Sequence, residues 1–367
     1  MKTTLRRAVA PGVAVLALAA LLAACGDSGS TVSGDTATDG SALSGTLAGG
    51  GSSAQGSAQQ AWMAGFQQQN PGASITYDPV GSGTGRTSFE SGAYAFAGSD
   101  AFIANPSDEY TAAKKQCGAD PIEVPSYISP IAVVFNLKGV DTLKLDAKTI
   151  ANIFNGTITT WNDPAIAGQN DGVDLPATPI HPVHRSDDSG TTQNFTEYLS
   201  NAGDGAWKSE ASQTWPSTDG LNGNQTSGVV TAVKGGEGTI GYVDASQAGG
   251  MGVVSIKVGS SYNAPSAEGA AAVVADSELD SSATDSQLIY DINRTDDKDG
   301  AYPLILVSYL LACPTYDAKT AGLVQGYLSY VVSQDGQKAG ADAAGSAPLS
   351  SETSGKAAAI VDKIAAK

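Results

Sequence analysis

Arg185-Ser186-Asp187-Asp188-Ser189-Gly190-Thr191, followed by TQNFTEYL (192–199), is the stretch from which the rest of the chain is best read. Phe195, Tyr198 and Leu199 recur at i, i+3 and i+4, the spacing of one helical face. The Ser-Gly-Thr turn therefore stands at a helix start. The first N–H groups of a helix have no partner within it, and the aligned peptide dipoles leave a partial positive charge there. A guanidinium beside such a start adds a flat fork of donors. Together these groups suit a tetrahedral oxyanion.

Two strand–turn–helix units lie upstream. Leu43–Leu47 reads as a strand, followed by a glycine-rich turn with hydroxyls at Ser52 and Ser53. The next segment, SAQQAWMAGFQQQNPG, puts Ala58, Ala61, Trp62, Gly65 and Phe66 on one helical face, and Asn70-Pro71-Gly72 stops it. Ile75–Val80 alternates as a strand, meets Gly81-Ser82-Gly83-Thr84-Gly85, and passes into a short helical stretch from Arg86. Glycine lets the backbone approach a ligand closely, but it also serves plain strand–helix connections. The repetition of the unit is what favours a site. Tyr94–Gly98 is a further strand, ending in Ser99-Asp100-Ala101. An aspartate just past a strand end of an α/β protein either faces the ligand crevice or caps the next helix. Both readings stand on the sequence.

Downstream, Tyr127–Asn136 (YISPIAVVFN) reads as a buried strand. A helix carries Ile150, Ile153 and Phe154, and Leu221–Ser227 reads as a loop before a helix over Gly228–Lys234. Gly238–Val243 and Val253–Val258 are strands. Residues 259–300 are polar, with a local helix at Ala270–Ala275. Tyr302–Ala312 (YPLILVSYLLA) returns to the core and is too short to span a membrane. Helices over Thr320–Val332 and Ala357–Lys367 close the chain.

At 367 residues the chain can form two medium domains. Its formal charge is −17, and −20 without Lys2, Arg6 and Arg7. That balance argues against nucleic acid or an anionic membrane surface as partner, and any anion site must work through short-range hydrogen bonds. His181 and His184 are the only histidines, flanking Pro182-Val183; with three cysteines they cannot build a multi-His or Cys-rich metal cluster. Residues 1–24 read as a signal peptide, with Arg6-Arg7 before an apolar stretch. Leu22-Ala23-Ala24-Cys25 resembles a lipobox, which makes Cys25 the lipidated residue; an ordinary signal peptide is the alternative. Residues 25–42, rich in Gly, Ser, Thr and Asp, read as a flexible tether. Gly26-Asp27-Ser28-Gly29 resembles a protease nucleophile motif, but lies in the tether and is read as chance. Cys117 and Cys313, an even pair in an exported chain, read as a disulfide, with two buried thiols as the alternative.

Several stretches together resemble the phosphate-binding protein of the ABC phosphate importer (PstS-type). They are Leu47–Trp62 (LAGGGSSAQGSAQQAW), Val80–Gly85, Ala97–Ala101 (AGSDA), Ile153–Ile166 (IFNGTITTWNDPAI), Arg185–Leu199 and Gly238–Val243 (GTIGYV), in order across 43–335. The resemblance implies an α/β, two-lobed type II periplasmic-binding-protein fold with a ligand cleft between the lobes, 43–126 with 303–367 forming one and 127–302 the other. It implies inorganic phosphate held by Ser53, the Ala54 N–H, Ser82, Asp100, Arg185, Ser189, Gly190 and Thr191. Asp187 would pair with the arginine. Ala54 stands where some members carry an aromatic residue. The resemblance further implies a monomer without cofactor or metal, lipid-anchored at the outer face of the bacterial cell membrane, that delivers phosphate to the importer's membrane subunits.

Phosphate near neutrality carries a proton and sulfate does not. Asp100 as an acceptor would therefore favour phosphate, because a site of mismatched polar groups can discriminate on the order of 10⁴-fold. The competing readings are a same-fold binder of molybdate, sulfate or an organic phosphate, a hydrolase, and a surface lipoprotein without binding. A hydrolase needs a metal set or a nucleophile–base pair that two close histidines in a proline-rich stretch do not supply.

Overall fold

A computed structural model of the chain describes residues 42–217 and 219–367. The leader 1–24, Cys25, the GDSG stretch and all but the last residue of the tether lie outside the described residues. From the amino end, β1 (Ser44–Gly51) leads through the glycine-rich turn to α1 (Gly56–Gln69), which buries Ala58, Trp62 and Phe66. Asn70 ends that helix, its side-chain amide donating to the Phe66 carbonyl at 3.1 Å. Then come β2 (Gly72–Asp78), α2 (Ser82–Glu90), β3 (Phe96–Ser99) and α3 (Asp108–Cys117). The 15-residue β4 (Ile122–Asn136) is buried along all but its last residue.

The chain continues through β5 (Thr142–Leu145), α4 (Ala147–Phe154), α5 (Pro164–Ala167), β6 (His181–Arg185) and α6 (Gly190–Ala202). After these come β7 (Leu221–Gly223), α7 (Gln225–Gly235), β8 (Thr239–Asp244), β9 (Gly252–Val258), β10 (Ser261–Asn263) and α8 (Ala267–Ala275). A small hairpin of β11 (Glu278–Leu279) and β12 (Tyr290–Asp291) precedes β13 (Ile305–Ala312). The last elements are β14 (Thr315–Tyr316), α9 (Ala318–Val332), α10 (Gln334–Ala344), α11 (Ser351–Val361) and β15 (Ala365–Ala366).

The main sheet runs β2-β1-β3-β13-β4-β8-β6-β7, with β9 branching off β4 and pairing in turn with β5 and β10. β4 is the strand on which the two halves of this sheet meet. Ile122–Pro130 pairs antiparallel with β13, whereas Ile131–Asn136 pairs antiparallel with β8. Pro130 sits at the change of partner, where a residue that cannot donate costs no ladder bond. The return crossing lies alongside, with the Ile131 N–H donating to the Leu304 carbonyl at 2.8 Å. Parallel β1, β2 and β3 with α1–α3 thus lie on one side of the crossing. Parallel β6, β7 and β8 with α6 and α7 lie on the other. The chain after β13 returns to the first side: Trp62 of α1 donates its indole N–H to Gly336 of α10 at 2.7 Å. Cys117 at the end of α3 and Cys313 just past β13 form a disulfide with Cα atoms 5.0 Å apart.

Three local expectations shift. Of Gly81–Gly85 only Gly81 is a turn; Ser82–Gly85 already belong to α2. The glycines are there for space: a Cβ on Gly85 would lie 2.4 Å from the Gly51 Cα, and one on Gly83 2.5 Å from the Asp188 Cβ. Leu221–Gly223 is an edge strand parallel to β6 rather than loop, too short to show alternation. The terminal helix begins at Ser351, where Ser350 caps it by accepting from the Thr353 N–H at 3.1 Å. It ends at Val361, and Ala365–Ala366 pairs with β14.

Candidate functional site

The quoted motif falls where β6 hands over to α6. Arg185 ends β6 and is 3% exposed. Its Nε donates to Asp187 Oδ1 at 2.7 Å, and its Nη2 reaches Oδ2 of the same carboxylate. Nη1 has no hydrogen-bond partner among the described residues. The fork is thus held by one edge and leaves the other available. Asp187 also accepts from the Gln225 N–H at 2.9 Å. Burial pushes its carboxyl up, but the hydrogen bonds and charge of Arg185 outweigh that and hold it below the ordinary aspartate range. Ser189 caps α6, its hydroxyl accepting from the Thr192 N–H at 3.2 Å. Gly190 and Thr191 form the first turn.

Opposite stand the ends of β1, β2 and β3. Asp100, 3% exposed, follows β3. It does not cap α3, whose cap is Ser107. Its Oδ2 accepts from the Thr191 hydroxyl at 2.9 Å and its Oδ1 from Ser308 at 2.6 Å. The Asp100 N–H donates to the Ser82 hydroxyl oxygen at 3.2 Å. A Cβ on Gly190 would lie 2.8 Å from the Asp100 Cβ, so α6 approaches the β3 end as closely as glycine permits. Gly81, at φ +99°, touches the arginine pair: a Cβ there would lie 2.5 Å from Asp187 Oδ2. Ser53 shares a 2.9 Å hydrogen bond with the Thr226 hydroxyl and accepts from the Thr226 N–H at 3.1 Å. The Ala54 N–H donates to the Ser52 hydroxyl at 3.1 Å.

Two hydrogen-bonded groups thus form where the sheet halves approach: Ser82, Asp100 and Thr191 in one, and Arg185 with Asp187, which meets Ser53 through Gln225 and Thr226, in the other. The hydroxyls of Ser53 and Ser82, the first-turn N–H groups at Gly190 and Thr191, and the free arm of Arg185 can donate to an anion, and Asp100 can accept. No group of three or more metal-ligating side chains occurs among the described residues. Sequence reasoning missed Ser308, Thr226 and Asn194. Ser308 is the lone serine of the apolar run Tyr302–Ala312, which was its available signal. A register shift between Ser308 and Tyr309 marks a bulge in β13, a device that re-aims a side chain. Asn194 donates to the Asp100 carbonyl at 2.7 Å and lies one turn past Gly190, on the face of α6 turned to β3. Thr226 carried no signal in its polar loop.

Two lobes joined at a crossing strand, with a buried hydroxyl–arginine–carboxylate cluster between them, define a two-lobed solute-binding protein. The family described as PBP superfamily domain matches residues 36–335, and the phosphate-binding proteins PstS2 of Mycobacterium bovis and PstS 2 of Mycobacterium tuberculosis are 36% and 35% identical over 96% of this chain and 98% of theirs. The chain belongs to the PBP superfamily and, within it, to the family of PstS phosphate-binding proteins. Among solved structures, a high-affinity periplasmic phosphate-binding protein (PfluDING) bound with phosphate aligns with a TM-score of 0.68 at 22% identity, covering 86% of this chain and 93% of that one. A phosphate-binding protein from Stenotrophomonas maltophilia aligns with a TM-score of 0.64 at 17% identity, covering 86% and 94%. At those identities the likeness speaks to the fold, which is the two-lobed α/β fold expected.

Proposed function

We propose that this protein binds inorganic phosphate between two lobes, 43–126 with 303–367 and 127–302, and delivers it to the membrane subunits of an ABC importer. It acts outside the cytoplasm as a monomer tethered through lipid on Cys25, and it is a carrier, not an enzyme. The observation that carries the reading is Asp100: a buried carboxylate facing the first turn of α6, close to a cluster whose arginine keeps one arm free. Each carboxylate oxygen has about two acceptor directions, and two bonds, from Thr191 and Ser308, occupy the group. Capacity remains for a donor. A phosphate P–OH supplies that donor, and sulfate has none.

In the bound complex Arg185 supplies the full positive charge, and Asp187 holds its fork. The hydroxyls of Ser53, Ser82 and Ser189 and the N–H groups of Ala54, Gly190 and Thr191 take the remaining oxygens. Contacts such as Ser53–Thr226 and Gly83–Asp188, which join the two sides, close the cleft and exclude water. Calorimetric titration with phosphate, arsenate and sulfate at two pH values tests the reading. Saturable phosphate binding with sulfate excluded is expected, and a preference for sulfate would overturn it.

A further inference from the structure

A second buried arginine stands beside the anion cluster. Arg86 lies in α2 and is 1% exposed. All three of its guanidinium nitrogens are bonded. Nη1 donates to the Ser99 hydroxyl at 2.8 Å, next to Asp100. Nε and Nη2 donate to Glu109 of α3 at 3.3 and 3.0 Å, and that carboxylate offsets the charge. Ser99 and Glu109 belong to the same side of the sheet as α2. The last bond leaves that side: Nη2 also donates to Gln213 Oε1 at 2.6 Å, in the segment between α6 and β7.

The segment carrying Gln213 is fixed to its own side without that side chain. The Gln213 carbonyl accepts from the Ser189 N–H at 3.0 Å. The Ser212 N–H donates to the Thr196 hydroxyl at 3.0 Å, and the Thr214 hydroxyl donates to Asp188 at 2.6 Å. Only the Gln213 side chain crosses to Arg86. A guanidinium can only donate, so the amide oxygen is the atom that faces it. If the two sides separate, Arg86 keeps Ser99 and Glu109 and loses Gln213 alone. The bond therefore counts only while the cleft is closed, and its charged donor places it among the stronger hydrogen bonds.

We propose that Arg86 and Gln213 are positioning residues of the anion site, a latch across the cleft that raises affinity without touching the ligand. A ligand that needs the closed form binds with an apparent affinity reduced by the fraction of protein in that form. Weakening the latch therefore weakens binding. The effect on phosphate affinity rests on the function proposed above; the latch itself does not.

Two backbone N–H groups supply the test. Gly83 is the second residue of α2, where an N–H has no partner within the helix. It donates instead across the cleft to the Asp188 carbonyl at 3.1 Å, so its hydrogen exchange reports closure. The Ser189 N–H, bonded to the Gln213 carbonyl on one side of the cleft, reports whether the segment itself is intact. Exchange at both is followed by nuclear magnetic resonance, without and with saturating phosphate, in the wild type, Gln213→Leu and Gln213→Glu. In Gln213→Leu the Gly83 N–H exchanges about tenfold faster while Ser189 is unchanged, and phosphate affinity by calorimetry falls about tenfold. Gln213→Glu keeps an acceptor oxygen on Arg86 and restores both to the wild-type level or beyond. Gly83 exchange that Gln213→Leu leaves unchanged in both conditions overturns the proposal. So does an equal loss of protection at Ser189, which would mean a loosened segment, or a Gln213→Glu variant that behaves like Gln213→Leu. A wild type that takes up no phosphate sinks the phosphate reading, and the comparison of Gly83 with Ser189 in the unliganded proteins then decides the latch alone.

Discussion

Arg185 and Asp100 do different work in the proposed complex, and two substitutions separate them. Arg185→Ala removes the charge and leaves Asp187 with the Gln225 N–H but without its main partner. Phosphate affinity measured by calorimetry should fall at least about tenfold, the scale of one lost charge-assisted hydrogen bond. Asp100→Asn keeps the shape but accepts through its one oxygen from only one of Ser308 and Thr191, and replaces the other acceptor by an amide donor. Phosphate should weaken while sulfate gains, so the phosphate-over-sulfate ratio in a competition assay narrows; an unchanged ratio would show that selectivity lies elsewhere. The sequence placed Asp100 after a strand and left it between cap and crevice. In the structure Ser107 caps α3, and the Asp100 carboxylate meets Thr191 at the start of α6 instead.

At the scale of elements, the approach of the two halves is set by small residues at helix and strand ends. Gly81→Ala places a methyl on a backbone at φ +99° and within 2.5 Å of Asp187 Oδ2. It should weaken phosphate binding by holding α2 off the arginine pair, with the loss read in calorimetry and the fold intact by circular dichroism. Strand β4 and its neighbours carry a different liability. Asp244, fully buried at the end of β8, accepts from the Tyr127 hydroxyl at 3.0 Å and the Ser246 N–H at 3.0 Å. Burial nevertheless raises its carboxyl to about 6. Glu123 of β4, bound by Gln287, is raised by burial to about 7. Both are acids whose folded form holds the proton longer than the unfolded chain does, so stability falls as pH rises from about 4 through 7. The denaturation midpoint should drop between about pH 5 and about pH 8, and Asp244→Asn should shrink that drop. These partners are distant in sequence, so nothing in the local pattern announced the burial.

For the molecule as a whole, the Cys117–Cys313 link closes a loop across 196 residues. Chain entropy puts its contribution at up to about 5 kcal/mol. Replacing both cysteines by alanine should lower the midpoint of thermal unfolding by about 10 °C. An unchanged midpoint would mean that the unfolded chain is already restrained there. The link joins the end of α3 to the exit of β13, and so ties the closing segment of the chain to the side on which it began.

What the amino-acid order determined by itself is local: helix starts at Ser189 and after the Ser52-Ser53 turn, and the apolar runs that become β4 and β13. Those follow from period, capping and side-chain chemistry, which act between near neighbours. The tertiary structure alone decided the change of partner at Pro130 and the bulge in β13 beside Ser308, which donates to Asp100. Each depends on groups brought together from far apart in the chain, and the energies of such meetings are set by burial and by which hydrogen bonds remain unpaired, quantities that no single segment contains.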